Sequence, residues 1–180
     1  MNWKPVQLLA ATALLAASLP GATLTLTPAT ISGAPGSTVG WSYSLVNDTA
    51  NWIVINSVVD SGFNPAFGTF TEFAATNFNV VAPNTIFSEA FSLPLLQGFG
   101  RFDIAPGATA GTFSSGSFQV GYDTYSSDPN LNGGVDFISG LNTFQISFAR
   151  VDASAPVPEP ATVALTGAAL VALLSFRRRS

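Results

Sequence analysis

Alternating apolar and polar positions through the middle of the chain predict β-strands. Leu24 and Leu26 alternate with threonines, and residues Val39 to Leu45 carry a large apolar side chain at every second position. A period of two is the pattern of a strand with one buried face. Further strand-like segments lie at residues 52–59, 67–73, 78–81, 86–93, 112–122 and 143–150.

Glycine, proline and asparagine separate these segments, and residues 23 to 156 show no helical period. The cluster Asn47 to Asn51 predicts a turn that joins the strands on either side as a hairpin. About eight short strands at this spacing predict an all-β domain. The expected fold is an antiparallel β-sandwich, immunoglobulin-like or jelly-roll-like, with a closed barrel as the alternative.

The first 22 residues have the pattern of a secretory signal peptide. Lys4 lies in a short polar start, and the apolar stretch from Val6 to Leu19 is followed by small residues. This length and order are typical of a segment that directs export, here through the Sec machinery, and is then removed. The small residues allow cleavage after Ser18 or after Ala22. We therefore predict an ectodomain at residues 23–152.

The other end of the chain predicts a single membrane span. After a linker at residues 153–160, residues 161–176 contain no charge, and Arg177, Arg178 and Arg179 follow directly. Sixteen residues make about 24 Å of helix, which is short for a bilayer core. Positive charge stays on the cytoplasmic side, so we expect residues 177–180 to lie inside and the ectodomain outside. The alternative is a buried helix of a soluble domain.

The same region carries a short motif, Val157, Pro158, Glu159 and Pro160. Together with the apolar span and the closing arginines, it resembles the PEP-CTERM sorting signal of Gram-negative bacteria. The resemblance implies recognition by an exosortase, a membrane protease-transpeptidase that cuts near the motif. It also implies an inner-membrane intermediate, a final place on the cell surface or outside the cell, and an association with exopolysaccharide and biofilm. A proline-rich segment suits proteolysis, because proline keeps the chain extended.

The predicted ectodomain is strongly acidic. It contains nine Asp and Glu residues and only two bases, Arg101 and Arg150, for a net charge of about −7. This balance argues against nucleic acid as a partner, since nucleic-acid binding needs basic patches. The chain has no cysteine, so neither a disulfide nor a lipid-modified cysteine is expected.

The composition also excludes most catalytic arrangements. The chain has no histidine and no cysteine, and Lys4 is its only lysine. Serine–histidine and cysteine–histidine systems are therefore excluded, as are zinc sites built on those ligands. Paired carboxylates remain possible in principle, but no spacing singles out two of them. We predict that the protein is not an enzyme and needs no cofactor, with calcium as the one candidate.

Calcium is suggested by a polar loop after the strand at residues 112–122. Its side chains repeat the first half of a calcium-binding loop, with Asp128, Asn130 and Asn132 at alternate positions, a glycine next, and Asp136 beyond it. The position where such loops place a bidentate glutamate is Ser139. An ordinary surface turn rich in Asp, Asn and Gly is the alternative reading.

Three aromatic residues, Trp52, Tyr122 and Tyr125, are candidates for stacking against a sugar, whereas the strand pattern predicts that Trp41 is buried. The sequence therefore predicts an exported, non-enzymatic protein with a structural or interactive role in an exopolysaccharide layer. The alternative is a carbohydrate-binding module, in which calcium could assist.

Overall fold

The computed structural model describes residues 21–155, which form ten strands and one short helix. This confirms the prediction of an all-β domain. The elements are β1 (Ala22–Thr27), β2 (Thr30–Gly33), β3 (Thr38–Asn47), β4 (Trp52–Ser61), β5 (Gly68–Glu72), β6 (Val80–Val81), β7 (Thr85–Glu89), β8 (Gly100–Ile104), β9 (Phe113–Tyr125), α1 (Pro129–Asn132) and β10 (Phe137–Ala153).

The strands form two five-stranded sheets. Sheet 1 has the order β1-β3-β8-β5, with β7 also paired to β3, and sheet 2 has the order β2-β10-β9-β4-β6. Neighbouring strands are antiparallel, except that β2 runs parallel to β10. The consecutive strands β1 and β2 therefore belong to different sheets, and the chain crosses between them at the cis Thr27-Pro28 peptide bond.

Aromatic rings fill the space between the two sheets. Trp41 of β3 is fully buried, as predicted, and its ring lies 5.5 Å from the ring of Phe118 on β9. Phe118 also contacts Phe70 of β5, with 4.7 Å between the ring centroids. Because strands of both sheets place apolar side chains at every second position, each sheet presents one apolar face to the other.

The prediction of a hairpin around residues 47–51 is wrong. β3 pairs with β1, β7 and β8, while β4 pairs with β6 and β9, so the turn leads from one sheet to the other. The side chain of Asn47 is fully buried and bonds within this turn, with Nδ2 donating to the carbonyl of Asn51 at 2.8 Å and Oδ1 accepting from the Thr49 hydroxyl at 2.7 Å. The buried Asn47 side chain stabilises the turn, while β3 and β4 pair with other strands.

Two strands and a helix were not predicted. In β8, Phe102 and Ile104 are buried and alternate with half-exposed Arg101 and Asp103, and so short an alternation is hard to distinguish from a loop. β2 is only four residues long, and α1 is a single turn. β10 continues to Ala153, one residue past the predicted boundary of the domain.

Within residues 21–155, no helix is long and apolar enough to cross a membrane. Residues 1–20 of the predicted signal peptide, the predicted span at residues 161–176 and the basic tail lie outside the described residues. So does the sorting motif Val157 to Pro160.

Candidate functional site

The outer face of sheet 2 carries a row of three aromatic side chains. Trp52 of β4 lies opposite Tyr125 of β9, and Tyr125 lies opposite Phe137 of β10, so the three residues share one face of three adjacent strands. The rings of Tyr125 and Phe137 meet edge to face at 5.7 Å. Trp52 and Tyr125 are half-buried, and Phe137 is exposed. We call these three residues the aromatic row.

The alternation of β9 shows which face this is. The even-numbered positions point to the core, as in Phe118 and Val120, which are fully buried. The odd-numbered positions therefore face outward, namely Tyr125, Asp123, Gly121 and Gln119. The β-bulges of sheet 2 place their extra residues in β4 and β10. The alternation along β9 is therefore regular.

A shallow depression opens on this face at Gly121. Its volume is about 130 Å³, and Asn56, Ser57, Gln119 and Thr143 supply its polar lining. The β-bulge between Ile55 and Ser57 brings the side chains of Asn56 and Ser57 over Gly121. A Cβ atom on Gly121 would lie 2.2 Å from Ser57 Oγ, so any side chain at this position would displace the lining.

Asp123 lies between the aromatic row and the depression. Its Oδ1 accepts a hydrogen bond of 2.7 Å from Asn56 Nδ2, across the exposed face. Gly140 of β10 leaves room for this carboxylate, because a Cβ there would lie 2.7 Å from Asp123 Oδ1. Asp123 and Asn56 thus connect the two features, and we call Asn56, Gln119, Asp123 and Thr143 the polar strip.

Tyr122, which the sequence grouped with Trp52 and Tyr125, lies on the other face of β9. Its ring stacks on Phe144 at 4.3 Å and packs against the inter-sheet core. Burial raises the pKa of its phenol above the ordinary value. The structure therefore brings together two of the three predicted aromatics and adds Phe137.

In the predicted calcium loop, the acidic side chains bond to the loop itself. Asp128 caps α1 by accepting a 2.9 Å hydrogen bond from the Asn130 backbone N–H, and Gly133 ends α1 in the left-handed conformation. Asp136 accepts a hydrogen bond from the Ser127 hydroxyl. Among residues 21–155, no three His, Cys, Asp or Glu side chains form a group that could hold a metal. Calcium at Asp128, Asn130, Asn132 and Asp136 stays a prediction.

A second polar cluster surrounds the buried side chain of Tyr43. Asn79 Nδ2 donates to the Tyr43 hydroxyl at 2.8 Å, and Glu89 Oε2 accepts from the Gly98 backbone N–H at 3.0 Å. Burial raises the pKa of Tyr43 well above its usual value and the nearby Glu89 charge adds to this, while the hydrogen bond from Asn79 opposes it. The first bond joins the segment before β6 to β3, and the second joins the segment before β8 to β7.

Sequence reasoning missed Asn56, Gln119, Phe137 and Thr143. All four residues belong to strands. For Asn56, Gln119 and Thr143, a polar residue at an alternate position of a strand indicates only a solvated face. The signal that was available is Gly121, a glycine inside a strand, which marks a bulge or a close approach of neighbouring chains.

Comparison with protein families identifies the class of the segment that follows the described domain. Residues 156–179 match the model of a protein-sorting signal, described as the PEP-CTERM protein-sorting motif. The chain therefore carries a PEP-CTERM protein-sorting motif, as its sequence predicted. The motif implies an exported protein that an exosortase processes, with a membrane-anchored intermediate on the way to the cell surface. No curated protein matches the chain.

Proposed function

We propose that the chain is a non-enzymatic protein of an extracellular polysaccharide layer, made by Sec export and exosortase processing. The observation that carries this proposal is the sorting motif at residues 156–179. The acidic, cysteine-free domain ahead of it supports a role outside the cell, where a net charge of about −7 keeps a protein soluble. The lack of histidine and cysteine supports a structural or binding role rather than catalysis.

The fold supports assignment to the immunoglobulin-like group of β-sandwiches. In the order β1-β3-β8-β5, the strands of sheet 1 follow the pattern A-B-E-D, and β10-β9-β4 in sheet 2 follow G-F-C. Modules of this kind present loops and sheet faces on a rigid core. Binding and packing are accordingly the functions that suit the domain.

The start of β1 bears on the signal-peptide site. Ala22 is the first residue of β1 and pairs with Asn47 of β3. Cleavage after Ser18 leaves the whole strand, whereas cleavage after Ala22 removes its first residue. We therefore favour cleavage after Ser18.

The end of the domain supports an orientation for the anchored intermediate. The Ser154 backbone N–H donates to the carbonyl of Gly33 at 2.8 Å, so the chain is held to sheet 2 until Ser154. Four residues further on lies Pro158, and four residues reach at most about 14 Å. In the anchored state, the end of the domain with Gly33 then faces the membrane. The aromatic row lies at the other end of β9, twelve residues or about 40 Å from Phe113.

Carbohydrate binding is the second candidate function. The aromatic row and the polar strip on one open face favour it, because stacking rings and amide or carboxylate groups suit a hydroxyl-rich ligand. Calcium bound in the loop at Asp128 to Asp136 would lie beside this face, since Gly134 neighbours the Tyr125 ring.

Intact-mass measurement tests the sorting proposal. In a host with an exosortase, we expect the mature protein to lose the segment after the Pro158–Pro160 region. The double substitution Pro158→Ala with Glu159→Ala should leave the rest of the tail attached and the protein in the inner membrane. Pro106→Ala, at an exposed proline of the domain, serves as the control and should be processed like the wild type. A wild-type protein that keeps its tail would show that the tail is only an anchor.

A separate assay tests the non-enzymatic assignment. We expect no turnover of polysaccharides by the purified protein. Hydrolysis that disappears on substitution of a single Asp or Glu would overturn that assignment without affecting the sorting proposal.

A further inference from the structure

We propose that the outer face of sheet 2 binds a neutral polysaccharide along a path from the aromatic row to the depression at Gly121. The inference deepens the second candidate function and rests on it, by naming the residues and the charge class of the ligand. It replaces the grouping of Trp52, Tyr122 and Tyr125 with Trp52, Tyr125 and Phe137, because Tyr122 stacks on Phe144 in the interior.

The aromatic row provides the stacking surface. Adjacent strands are about 4.8 Å apart, so three rings on three strands span about 10 Å across the sheet. Phe137 is 53% exposed, and no strand pairing covers this face, because the partners of β9 lie beside it in the same sheet. Val54 lies on the same face of β4, between β6 and β9. It is only 8% exposed, although it does not belong to the inter-sheet core cluster. The aromatic row therefore has a small apolar patch beside it.

The polar strip provides hydrogen-bonding groups within reach of a ligand that stacks on the aromatic row. Gly121 lies four residues from Tyr125 on β9, about 13 Å along the strand, and Asp123 lies midway. A carboxylate accepts from hydroxyl groups, while the amides of Asn56 and Gln119 can both donate and accept. The side chains of Gln119 and Thr143 are exposed and line the depression, so a ligand can reach both of them. A chain of linked sugars, each bearing several hydroxyls, matches this extended pattern better than a single small molecule.

The charge of the face selects a neutral ligand. The ectodomain has only two bases, Arg101 on β8 and Arg150 on β10. Arg150 is paired with Asp152 at 2.5 Å and lies over the Phe113 ring, at the opposite end of sheet 2 from the aromatic row. The charge within the site is that of Asp123, and Asp48 lies in the turn before Trp52. An acidic polysaccharide would meet repulsion there, and neither arginine is placed to compensate it.

The position of the site in the domain agrees with binding a polymer outside the cell. The tail leaves at the Ala153 end of β10, whereas Phe137 begins that strand. The aromatic row is thus about 40 Å from the tether, and an anchored chain would turn this end away from the membrane.

Affinity electrophoresis and calorimetry test the proposal. The probes are a panel of soluble neutral glucans, mannans and galactomannans, with alginate and polygalacturonate as acidic counterparts. The full chain is purified in a detergent whose head group is not a sugar, since a maltoside would compete. We expect retardation by at least one neutral polymer, and none by the acidic ones.

Variants locate the binding. Trp52→Ala and Tyr125→Ala should each weaken binding about tenfold, and Gln119→Ala should weaken it several-fold. Phe113→Ala is the matched control, since Phe113 is an exposed aromatic on the same face of the same strand but at the far end. It should bind like the wild type. Circular dichroism and thermal melting of each variant separate loss of binding from loss of folding.

Three outcomes would overturn the proposal. One is that no neutral polymer in the panel binds, and another is that acidic polymers bind as well as neutral ones. The third is self-association through the aromatic row, seen as concentration-dependent dimers that Trp52→Ala abolishes in the absence of glycan binding. Exosortase processing is measured by intact mass on the same protein, so failure of the glycan site and failure of the sorting proposal are distinguishable.

Discussion

Asn47 Nδ2 donates a hydrogen bond of 3.1 Å to the backbone carbonyl of Val81, and this bond joins the two sheets. Asn47 ends β3 in sheet 1, while Val81 belongs to β6 in sheet 2. The same amide is within hydrogen-bond distance of the carbonyls of Asn51 and Ala82, at 2.8 and 3.0 Å. A single buried side chain therefore closes one end of the domain by satisfying backbone groups that the sheets leave unpaired.

Replacement of Asn47 by alanine should lower the free energy of unfolding by about 3 kcal/mol. The substitution leaves buried carbonyl groups without a donor and removes the acceptor of Thr49, and each unsatisfied buried group costs about 1–3 kcal/mol. Chemical denaturation measures the change. Asn77→Ala is the control, because the Asn77 side chain is exposed and donates to the carbonyl of Leu96. Equal effects of the two substitutions would show that Asn47 does not organise the turn.

Phe118→Ala should lower the free energy of unfolding by about 4 kcal/mol. Phe118 is fully buried and contacts rings from sheet 1, among them Phe70 and Trp41, so its loss leaves a cavity at the centre of the domain. Phe148→Ala, at a side chain that is 54% exposed, should cost less than about 1 kcal/mol. Urea denaturation of both variants measures the difference. A small effect at Phe118 would mean that the two sheets do not pack through this ring.

Tyr43 should make the domain less stable in alkali. Burial raises the pKa of this phenol in the folded state, whereas an unfolded tyrosine ionises near pH 10. Above about pH 10 the unfolded state binds fewer protons than the folded state, so the contribution of Tyr43 is complete below that pH and declines above it. The loss is about 1.4 kcal/mol for each pH unit. Tyr43→Phe removes this dependence.

Denaturation at pH 9 and pH 11 checks this expectation. The stability of the Tyr43→Phe variant should fall less between the two pH values than that of the wild type. Tyr122, whose pKa is raised in the same direction, is present in both proteins and does not alter the comparison. An equal fall in both would show that Tyr43 ionises in the folded protein.

Asp128→Ala separates helix capping from calcium binding. Loss of the cap on α1 should lower stability by about 1 kcal/mol in the presence of a chelator. If the loop binds calcium, millimolar calcium should raise the melting temperature of the wild type but not that of the Asp128→Ala variant. Asp136→Asn provides a second test, since it keeps the size of the side chain. The absence of any calcium-dependent shift in the wild type would rule out the calcium site.

Parts of the fold could be predicted because they depend on local pattern. The strands with long alternation, such as β3 with Trp41, Tyr43 and Leu45 facing inward, were recognised directly. β8 and β2 were not, since a short strand with two or three apolar positions has too little pattern to stand out. The predicted hairpin failed for a different reason. Turn residues at 47–51 show that the chain reverses, but whether the flanking strands then pair depends on which partners the whole fold supplies.

The candidate site illustrates the same limit. Trp52 and Tyr125 could be singled out as aromatic residues, but Tyr122 was included because the face of β9 was not known. A one-residue shift in register reverses the face of a side chain, and the bulges in β4 and β10 insert such shifts. Phe137 and Gln119 could be placed beside Tyr125 and Gly121 only once the pairing of the three strands was known.

The sequence by itself determined the all-β class and the sorting motif at residues 156–179, because both depend on residues close together in the chain. It also determined the charge of the domain and the lack of histidine and cysteine. The tertiary structure decided how the strands divide between two sheets, how Asn47 joins them, and which side chains meet on the outer face of sheet 2. These features depend on contacts between distant residues, such as Trp52 with Tyr125, whose pairing is selected by the packing of the whole domain.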